Sequence, residues 1–188
     1  MLTYALLGFL TYQNASGYDL KQLMDVSTSN FWHAKQSQIY TTLKKMEKDE
    51  LVLSHIEPQE SRPNRRVYEI TEAGRADLKN WTAQPITQIE SRKEKLLLKL
   101  FFSAQLDPQR ILTELRLQKN LHQTQLEKYQ TITKDVIAQF SASLDMQEDA
   151  KLWEATRRFG ELYAEMYVRW LDETIKSVEQ GAGAVNDN

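Results

Sequence analysis

The chain has 188 residues, enough for one or two small domains, and its 24 basic and 26 acidic side chains leave a formal net charge of −2. This balance excludes nucleic-acid binding driven by overall charge, so any basic surface has to be local. The absence of cysteine excludes disulfides and thiolate chemistry.

The amino-terminal segment predicts two core helices. Its apolar run from Leu2 to Leu10 is too short to span a bilayer and lacks a basic start and a small-residue cleavage site. It therefore indicates a core helix of a soluble cytoplasmic protein. Ser16 followed three residues later by Asp19 is typical of a capping box, which predicts a second helix from Ser16.

A third predicted helix, QSQIYTTLKKMEKDE, has two unlike faces. At 100° per residue, Ile39, Leu43 and Met46 fall on one side, as expected for a face that packs on a core. The opposite face is polar, with short or basic side chains that fit a DNA major groove. Its members are Ser37, Thr41, Lys44, Lys45 and Lys48.

The next 21 residues predict a β-hairpin with a basic tip. LVLSHIE and RRVYEIT are rich in strand-forming residues, and PQESRPN between them contains turn formers that include Asn64. Arg62, Arg65 and Arg66 surround the tip. A helix followed by a strand, a basic wing and a strand is the order of a winged helix-turn-helix, which predicts DNA binding.

The second half predicts long helices. A boundary is expected at 83–87, which contains Pro85, and a helix is expected over 90–104. Asp107 and Pro108 are suited to begin a helix that extends to about Leu144, and Asp145 and Glu148 mark the start of a last helix. Two long helices with one-sided apolar stripes form an antiparallel hairpin, and a second copy of the chain would cover the remaining apolar surface.

These elements predict a mainly α fold with three parts. Residues 1–82 form a winged helix-turn-helix DNA-binding domain with a two-stranded β wing. Residues 88–180 form a carboxy-terminal dimerisation domain of long antiparallel helices, and residues 181–188 form a disordered tail.

The last helix also carries an aromatic stripe that has two interpretations. Its members would line a pocket for a planar effector, or they would belong to the core or to a dimer interface. They are Trp153, Phe159, Tyr163, Tyr167 and Trp170.

Enzymatic and metal chemistry have no support in the sequence. It contains no Gly-rich phosphate loop, His-Glu zinc pattern or nucleophile elbow, and its three histidines are scattered. We therefore predict that the protein is not an enzyme, needs no cofactor and binds no metal.

Four segments resemble the PadR family of bacterial transcriptional regulators: LTYALLGFL, SGYDLKQLM, SQIYTTLKKMEKDELV and RRVYEITEAGRADLKNW. The second half, from EKLLLKLFF onward, resembles the AphA-type subfamily with an extended helical domain. The resemblance implies that Tyr40 lies at the DNA surface, and relatives that respond to phenolic acids make an aromatic effector a natural expectation. Glu50 departs from the family, which usually has Gly there. Because Gly suits the left-handed cap of a helix, we expect a changed or strained turn.

The combined prediction is a homodimeric regulator that binds a palindromic operator in double-stranded DNA, with half-sites one helical turn apart. Ser37, Gln38, Thr41 and Lys44 are expected at base edges and Tyr40, Lys45 and Lys48 at phosphates. The wing residues Arg62, Asn64, Arg65 and Arg66 would contact the backbone or the minor groove. Repression, with release by a small aromatic effector, is predicted. The alternatives are an AphA-type activator and a winged-helix protein-interaction module.

Overall fold

The structure, a computed structural model, describes residues 1–28, 31–59, 64–89, 93–144 and 146–186. The chain forms two compact units, Met1–Ile89 and Glu90–Asn188, each with its own apolar cluster. Within the described ranges, no helix combines the length and the apolar character needed to cross a bilayer.

The first unit is a winged helix-turn-helix, as predicted. Its three antiparallel strands lie in the order β1-β3-β2, so a short strand before the second helix joins the two strands of the wing. Val52 pairs with Ile70 and Glu57 with Arg65, which sets the hairpin register. The elements are α1 (Leu2–Tyr12), β1 (Ala15–Ser16), α2 (Gly17–Ser27), α3 (Gln36–Lys48), β2 (Val52–Glu57), β3 (Arg65–Ile70) and α4 (Glu72–Ala83).

Side-chain caps set the starts of two helices in this unit. The Asp19 backbone N–H donates to Ser16 Oγ, and Asp19 Oδ2 accepts from the Ser16 N–H at 2.7 Å, which completes the predicted capping box. Thr71 Oγ1 accepts from the Gly74 N–H at 3.0 Å at the start of α4. These bonds satisfy donors that a helix start otherwise leaves unpaired.

The carboxyl end of α3 keeps the usual left-handed turn despite the glutamate. Glu50 has φ 56°, in the left-handed region that favours glycine. The Leu51 N–H donates to the Met46 carbonyl at 2.9 Å and the Glu50 N–H to the Glu47 carbonyl at 3.2 Å. This pair of bonds defines a Schellman motif. The unusual residue is therefore accommodated by backbone strain rather than by a different turn.

The described residues of the second unit form four helices, and three of their bounds differ from expectation. The helix expected over 90–104 is confined to 95–101 within the described residues. The long helix breaks at Thr131, whose φ of −118° and ψ of −89° are not helical. The last helix continues to Asn186, where a disordered tail was expected from 181. The elements are α5 (Lys95–Phe101), α6 (Pro108–Gln130), α7 (Ile132–Leu144) and α8 (Gln147–Asn186).

Helices α6 and α8 run antiparallel, as three polar contacts show. Arg116 donates to Glu179 at 2.7 Å, and Lys119 lies 2.6 Å from Asp172. At the other end, Arg157 donates to the backbone carbonyl of Tyr129 at 2.8 Å. Partners on α8 fall in number as those on α6 rise, which defines the antiparallel pairing. Leu112, Leu115 and Leu171 are buried between them.

Candidate nucleic-acid interface

Helix α3 lies with one face in the core and the other in solvent. Ile39, Leu43 and Met46 are almost fully buried against α1, α2 and the sheet. All seven residues of α3 that were predicted to meet DNA are exposed: Ser37, Gln38, Tyr40, Thr41, Lys44, Lys45 and Lys48. The buried face anchors the helix, and the exposed face is available to a partner.

The three lysines of this face carry uncompensated charge. Lys44, Lys45 and Lys48 are exposed, and none forms an ion pair within the part of the chain that the structure describes. Uncompensated ammonium groups along one helix face form an electrostatic footprint for phosphates. Lys45 and Lys48 also lie in the last turn, where the helix dipole favours positive charge.

Two polar residues at the start of α3 have local hydrogen bonds. Gln38 Oε1 accepts from the Lys35 N–H at 2.8 Å, so its amide caps the helix. Thr41 Oγ1 donates to the Ser37 carbonyl at 2.9 Å, which leaves the hydroxyl oxygen as an acceptor. These bonds restrict the side chains to defined orientations on the exposed face.

The Tyr40 ring packs over the start of α2. A Cβ atom added to Gly17 would lie 2.6 Å from Cε1 of Tyr40, so the glycine leaves the space that the ring occupies. Tyr40 nevertheless remains 39% exposed. The ring is therefore held at the protein surface.

The wing arginines have partners inside the protein, which the sequence did not predict. Arg66 Nη2 donates to both carboxylate oxygens of Glu47, at 2.9 and 3.0 Å, and Arg65 pairs with Asp19. Asn64 is exposed, and Arg62 lies outside the described residues. Of the predicted wing contacts, Asn64 is thus at the surface, and the two described arginines are bound to carboxylates.

These pairs alter the acidities of both carboxyl groups. A hydrogen bond from Ser54 and the Arg66 guanidinium hold the pKa of Glu47 below its usual range. Partial burial raises the pKa of Asp19, but hydrogen bonds from Ser16 and the charge of Arg65 outweigh burial and lower it. Both carboxylates are therefore charged at neutral pH, and they neutralise the arginines locally.

The five aromatic residues of the predicted effector pocket do not gather in one place. Tyr163, Tyr167 and Trp170 form a chain of ring contacts, with centroid separations of 5.6 and 5.3 Å. Trp153 and Phe159 lie farther toward the start of α8. Since a helix rises about 1.5 Å per residue, Trp153 is roughly 25 Å from Trp170 along the axis. A single small pocket cannot contain all five.

A cleft of about 290 Å³ is lined by α5, α6 and α8, together with Glu94. On one side His122 stacks on Tyr167, with ring centroids 3.9 Å apart and planes 14° apart. The Tyr163 hydroxyl donates to Glu94 at 2.9 Å. Burial lowers the pKa of His122, and the nearby charge of Glu94 opposes this only in part. Only Tyr163 and Tyr167 of the predicted pocket line this cleft.

Several residues of these sites escaped sequence reasoning. No spacing pattern in the sequence marks Gly17, Glu47 or Ser54. Each contacts a residue at least seven positions away: Tyr40 for Gly17, Arg66 for Glu47 and Glu47 for Ser54. In the sequence, His122 stands out only as a polar residue between the apolar positions of a heptad pattern. In the described part of the chain, no group of three or more carboxylates and histidines is placed to hold a metal ion.

Comparison with family models divides the chain where its two units divide. Residues 6–80 match the transcriptional regulator PadR-like family. Residues 92–179 match the virulence activator alpha C-terminal family. The two matches together cover most of both compact units.

Individual relatives match over nearly their whole length. The probable transcriptional regulator Rv1176c of Mycobacterium tuberculosis is 30% identical, over 95% of this chain and 98% of its own. The negative transcriptional regulator PadR of Bacillus subtilis is 27% identical, over 96% of this chain and 98% of its own.

Solved structures share the fold. Bacillus subtilis PadR in complex with operator DNA has a TM-score of 0.79 at 23% identity, covering 94% of this chain and 98% of that one. The same protein in complex with p-coumaric acid has a TM-score of 0.72 at 23% identity, covering 95% and 98%. The Vibrio cholerae virulence activator AphA has a TM-score of 0.72 at 27% identity, covering 96% and 99%.

Proposed function

The chain belongs to the PadR-like family of transcriptional regulators, and we propose that it binds a palindromic operator as a homodimer and represses transcription until a small aromatic effector releases it. One observation carries the DNA-binding part of this proposal. Helix α3 buries its apolar side and exposes every predicted contact residue, including three lysines without ion-pair partners among the described residues.

The exposed face of α3 divides into base-reading and phosphate-binding parts. Ser37, Gln38, Thr41 and Lys44 are assigned to base edges, where short polar groups and a lysine discriminate bases. Tyr40, Lys45 and Lys48 are assigned to phosphates, and Arg62 and Asn64 to the wing contact. The PadR structure in complex with operator DNA supports a DNA-binding role for this fold.

Homodimer formation is supported by apolar surface on the second unit. Phe101, the last residue of α5, and Phe102, which follows it, are 81% and 72% exposed, although a single soluble domain usually buries such rings. On α8, a stripe with heptad-like spacing is also exposed: Leu152, Phe159, Leu162 and Met166. A second copy would cover these side chains by pairing like surfaces about a two-fold axis. That symmetry suits a palindromic operator.

Repression is favoured by the relative named as a negative regulator, Bacillus subtilis PadR. AphA, a virulence activator with 27% identity to this chain, supports activation as the second candidate. Both candidates require the same DNA-binding surface. They differ in where the operator lies relative to the promoter, which a reporter assay with the native promoter distinguishes.

The effector is assigned to the cleft beside His122. Its aromatic wall, formed by Tyr163, Tyr167 and His122, suits a planar ring, and the exposed Lys95 at its edge suits a carboxylate. Bacillus subtilis PadR has been solved in complex with p-coumaric acid, a ligand of this type. Trp153, Phe159 and Trp170 are left out of the assignment because they do not line this cleft.

The first test is selection of random double-stranded DNA by the purified chain, followed by titration of the enriched sequences at two salt concentrations. An enriched palindrome with half-sites one turn apart is expected. Salt-sensitive binding without an enriched sequence would contradict operator recognition. No binding at low salt, in the absence and in the presence of hydroxycinnamic acids, would favour a protein-interaction module.

The phosphate assignment is tested by Lys45→Ala. In a homodimer the substitution removes two phosphate contacts, one from each protomer. It should therefore weaken binding to all sequences and flatten the plot of log affinity against log salt by about 1.8. Lys176→Ala, which removes an exposed lysine of α8, serves as the matched control. Unchanged affinity of Lys45→Ala at both low and high salt would refute the assignment.

A further inference from the structure

Arg66 lies at the centre of a polar cluster that joins the wing to helix α3. Its Nε donates to Ser54 Oγ on β2 at 2.8 Å, and its Nη2 donates to both oxygens of Glu47 on α3. Ser54 Oγ donates to Glu47 Oε1 at 2.5 Å. The cluster therefore links one residue from each of β2, β3 and α3 through four hydrogen bonds.

The geometry of this cluster resists movement of α3 relative to the hairpin. Arg66 follows Arg65 on β3, and since neighbouring strand residues point to opposite faces, the two arginines reach different helices. Arg65 binds Asp19 on α2, and Arg66 binds Glu47 on α3. Both helices of the helix-turn-helix are thus tied to the first two residues of β3, near the tip of the wing.

In the DNA-free protein, the Glu47 carboxylate largely neutralises the charge of Arg66. Glu47 accepts two of its hydrogen bonds, and the carboxylate is held in its charged form because Ser54 and Arg66 both lower its pKa. A guanidinium engaged in this way has less to gain from a phosphate, because the ion pair would have to break first. Lys44, Lys45 and Lys48 face no such competition in the described structure.

We propose that Arg66 and Glu47 are positioning residues of the DNA interface, which orient α3 for base reading, and that Arg66 is not a phosphate ligand. This inference rests on the proposed function. Base reading depends on the angle at which α3 enters the groove, whereas phosphate attraction tolerates small rotations. Breaking the pair should therefore lower operator affinity while leaving the affinity for unrelated DNA almost unchanged.

The test compares Arg66→Ala, Glu47→Ala, the double variant and Lys45→Ala. Each is titrated with the selected operator and with a scrambled duplex across a range of salt, with active protein counted by stoichiometric titration. Glu69→Ala is the matched control, because it removes an exposed carboxylate of β3 that forms no ion pair within the described ranges. Thermal unfolding of every variant accompanies the titrations.

We expect both single variants to lose about tenfold in operator affinity, the equivalent of one misread base pair. The double variant should lose no more than either single one, because both remove the same link. Their salt dependence should match that of the unmodified chain, whereas Lys45→Ala flattens it. A general loss of stability would lower the active fraction but would not change the ratio of operator to scrambled affinity.

Opposite behaviour of the two variants would overturn the inference. If Arg66 contacts phosphate, Glu47→Ala frees it and strengthens binding, while Arg66→Ala weakens binding to both duplexes and flattens the salt dependence. An unchanged affinity ratio in both single variants would also overturn it. Failure of the unmodified chain to bind any duplex would instead overturn the proposed function, and this inference with it.

Discussion

Gly17 and Tyr40 are complementary: a Cβ on the glycine would lie 2.6 Å from Cε1 and 3.0 Å from Cζ of the tyrosine ring. The contact joins the first residue of α2 to the exposed face of α3. Gly17 does not have a positive φ. Its lack of a side chain, rather than backbone freedom, is what the Tyr40 position requires.

Gly17→Ala should displace the Tyr40 ring and weaken operator binding. Moving the ring off its preferred rotamer costs about 1 kcal/mol, which corresponds to a roughly fivefold loss of affinity. Gly8→Ala, where an added Cβ meets nothing within 4 Å, should leave affinity unchanged. In a Tyr40→Ala background the Gly17 substitution should have no further effect. A full additional loss in that background would show that the ring is not the affected group.

Glu50→Gly should stabilise the protein. Relief of the left-handed strain at φ 56° should raise the free energy of unfolding by about 1 kcal/mol in denaturant titration. Asp49→Gly, one residue earlier with φ −84°, relieves no such strain and should give no gain. Equal effects of the two substitutions would argue against strain at Glu50.

Acidification should destabilise the second unit through His122. Because burial lowers the folded-state pKa of His122, the unfolded chain binds its proton first as the pH falls. Stability should therefore decline as the pH falls through about 6.5, the ordinary histidine pKa, and level off below the depressed folded pKa. His122→Gln should flatten this part of the profile. A profile that is unchanged by His122→Gln would contradict this assignment.

Arg157 should be the most costly charged residue to remove from the second unit. Its side chain is 7% exposed, and it contacts Glu154 at 2.7 Å, Glu161 at 3.1 Å and the Tyr129 carbonyl at 2.8 Å. Arg157→Ala leaves the buried Tyr129 carbonyl and the nearly buried Glu161 carboxylate without this donor. The free energy of unfolding should therefore fall by about 3 kcal/mol. Arg158→Ala, which removes an exposed partner of the same Glu161, should cost far less. Comparable losses would show that burial does not govern this network.

Local patterns in the sequence predicted much of the fold of the first unit. The 3.6-residue spacing of Ile39, Leu43 and Met46 placed α3 with the correct side buried, and the capping box at Ser16 marked the start of α2. These features depend on residues within one or two turns of each other. Such interactions are present in any conformation that forms the helix, so they can be predicted without knowledge of the remaining chain.

Tertiary structure alone decided which of the exposed charges remain free. Arg66 and the lysines of α3 look alike in the sequence, yet the hairpin register brings Arg66 to Glu47, 19 residues earlier, and Arg65 to Asp19, 46 residues earlier. The same holds for the ring of Tyr40 over Gly17 and for the separation of the aromatic residues along α8. Contacts between distant segments depend on strand register and on packing between helices. The spacing of neighbouring residues therefore does not predict these contacts. They stabilise the protein only after strand register and helix packing have brought the two distant segments together.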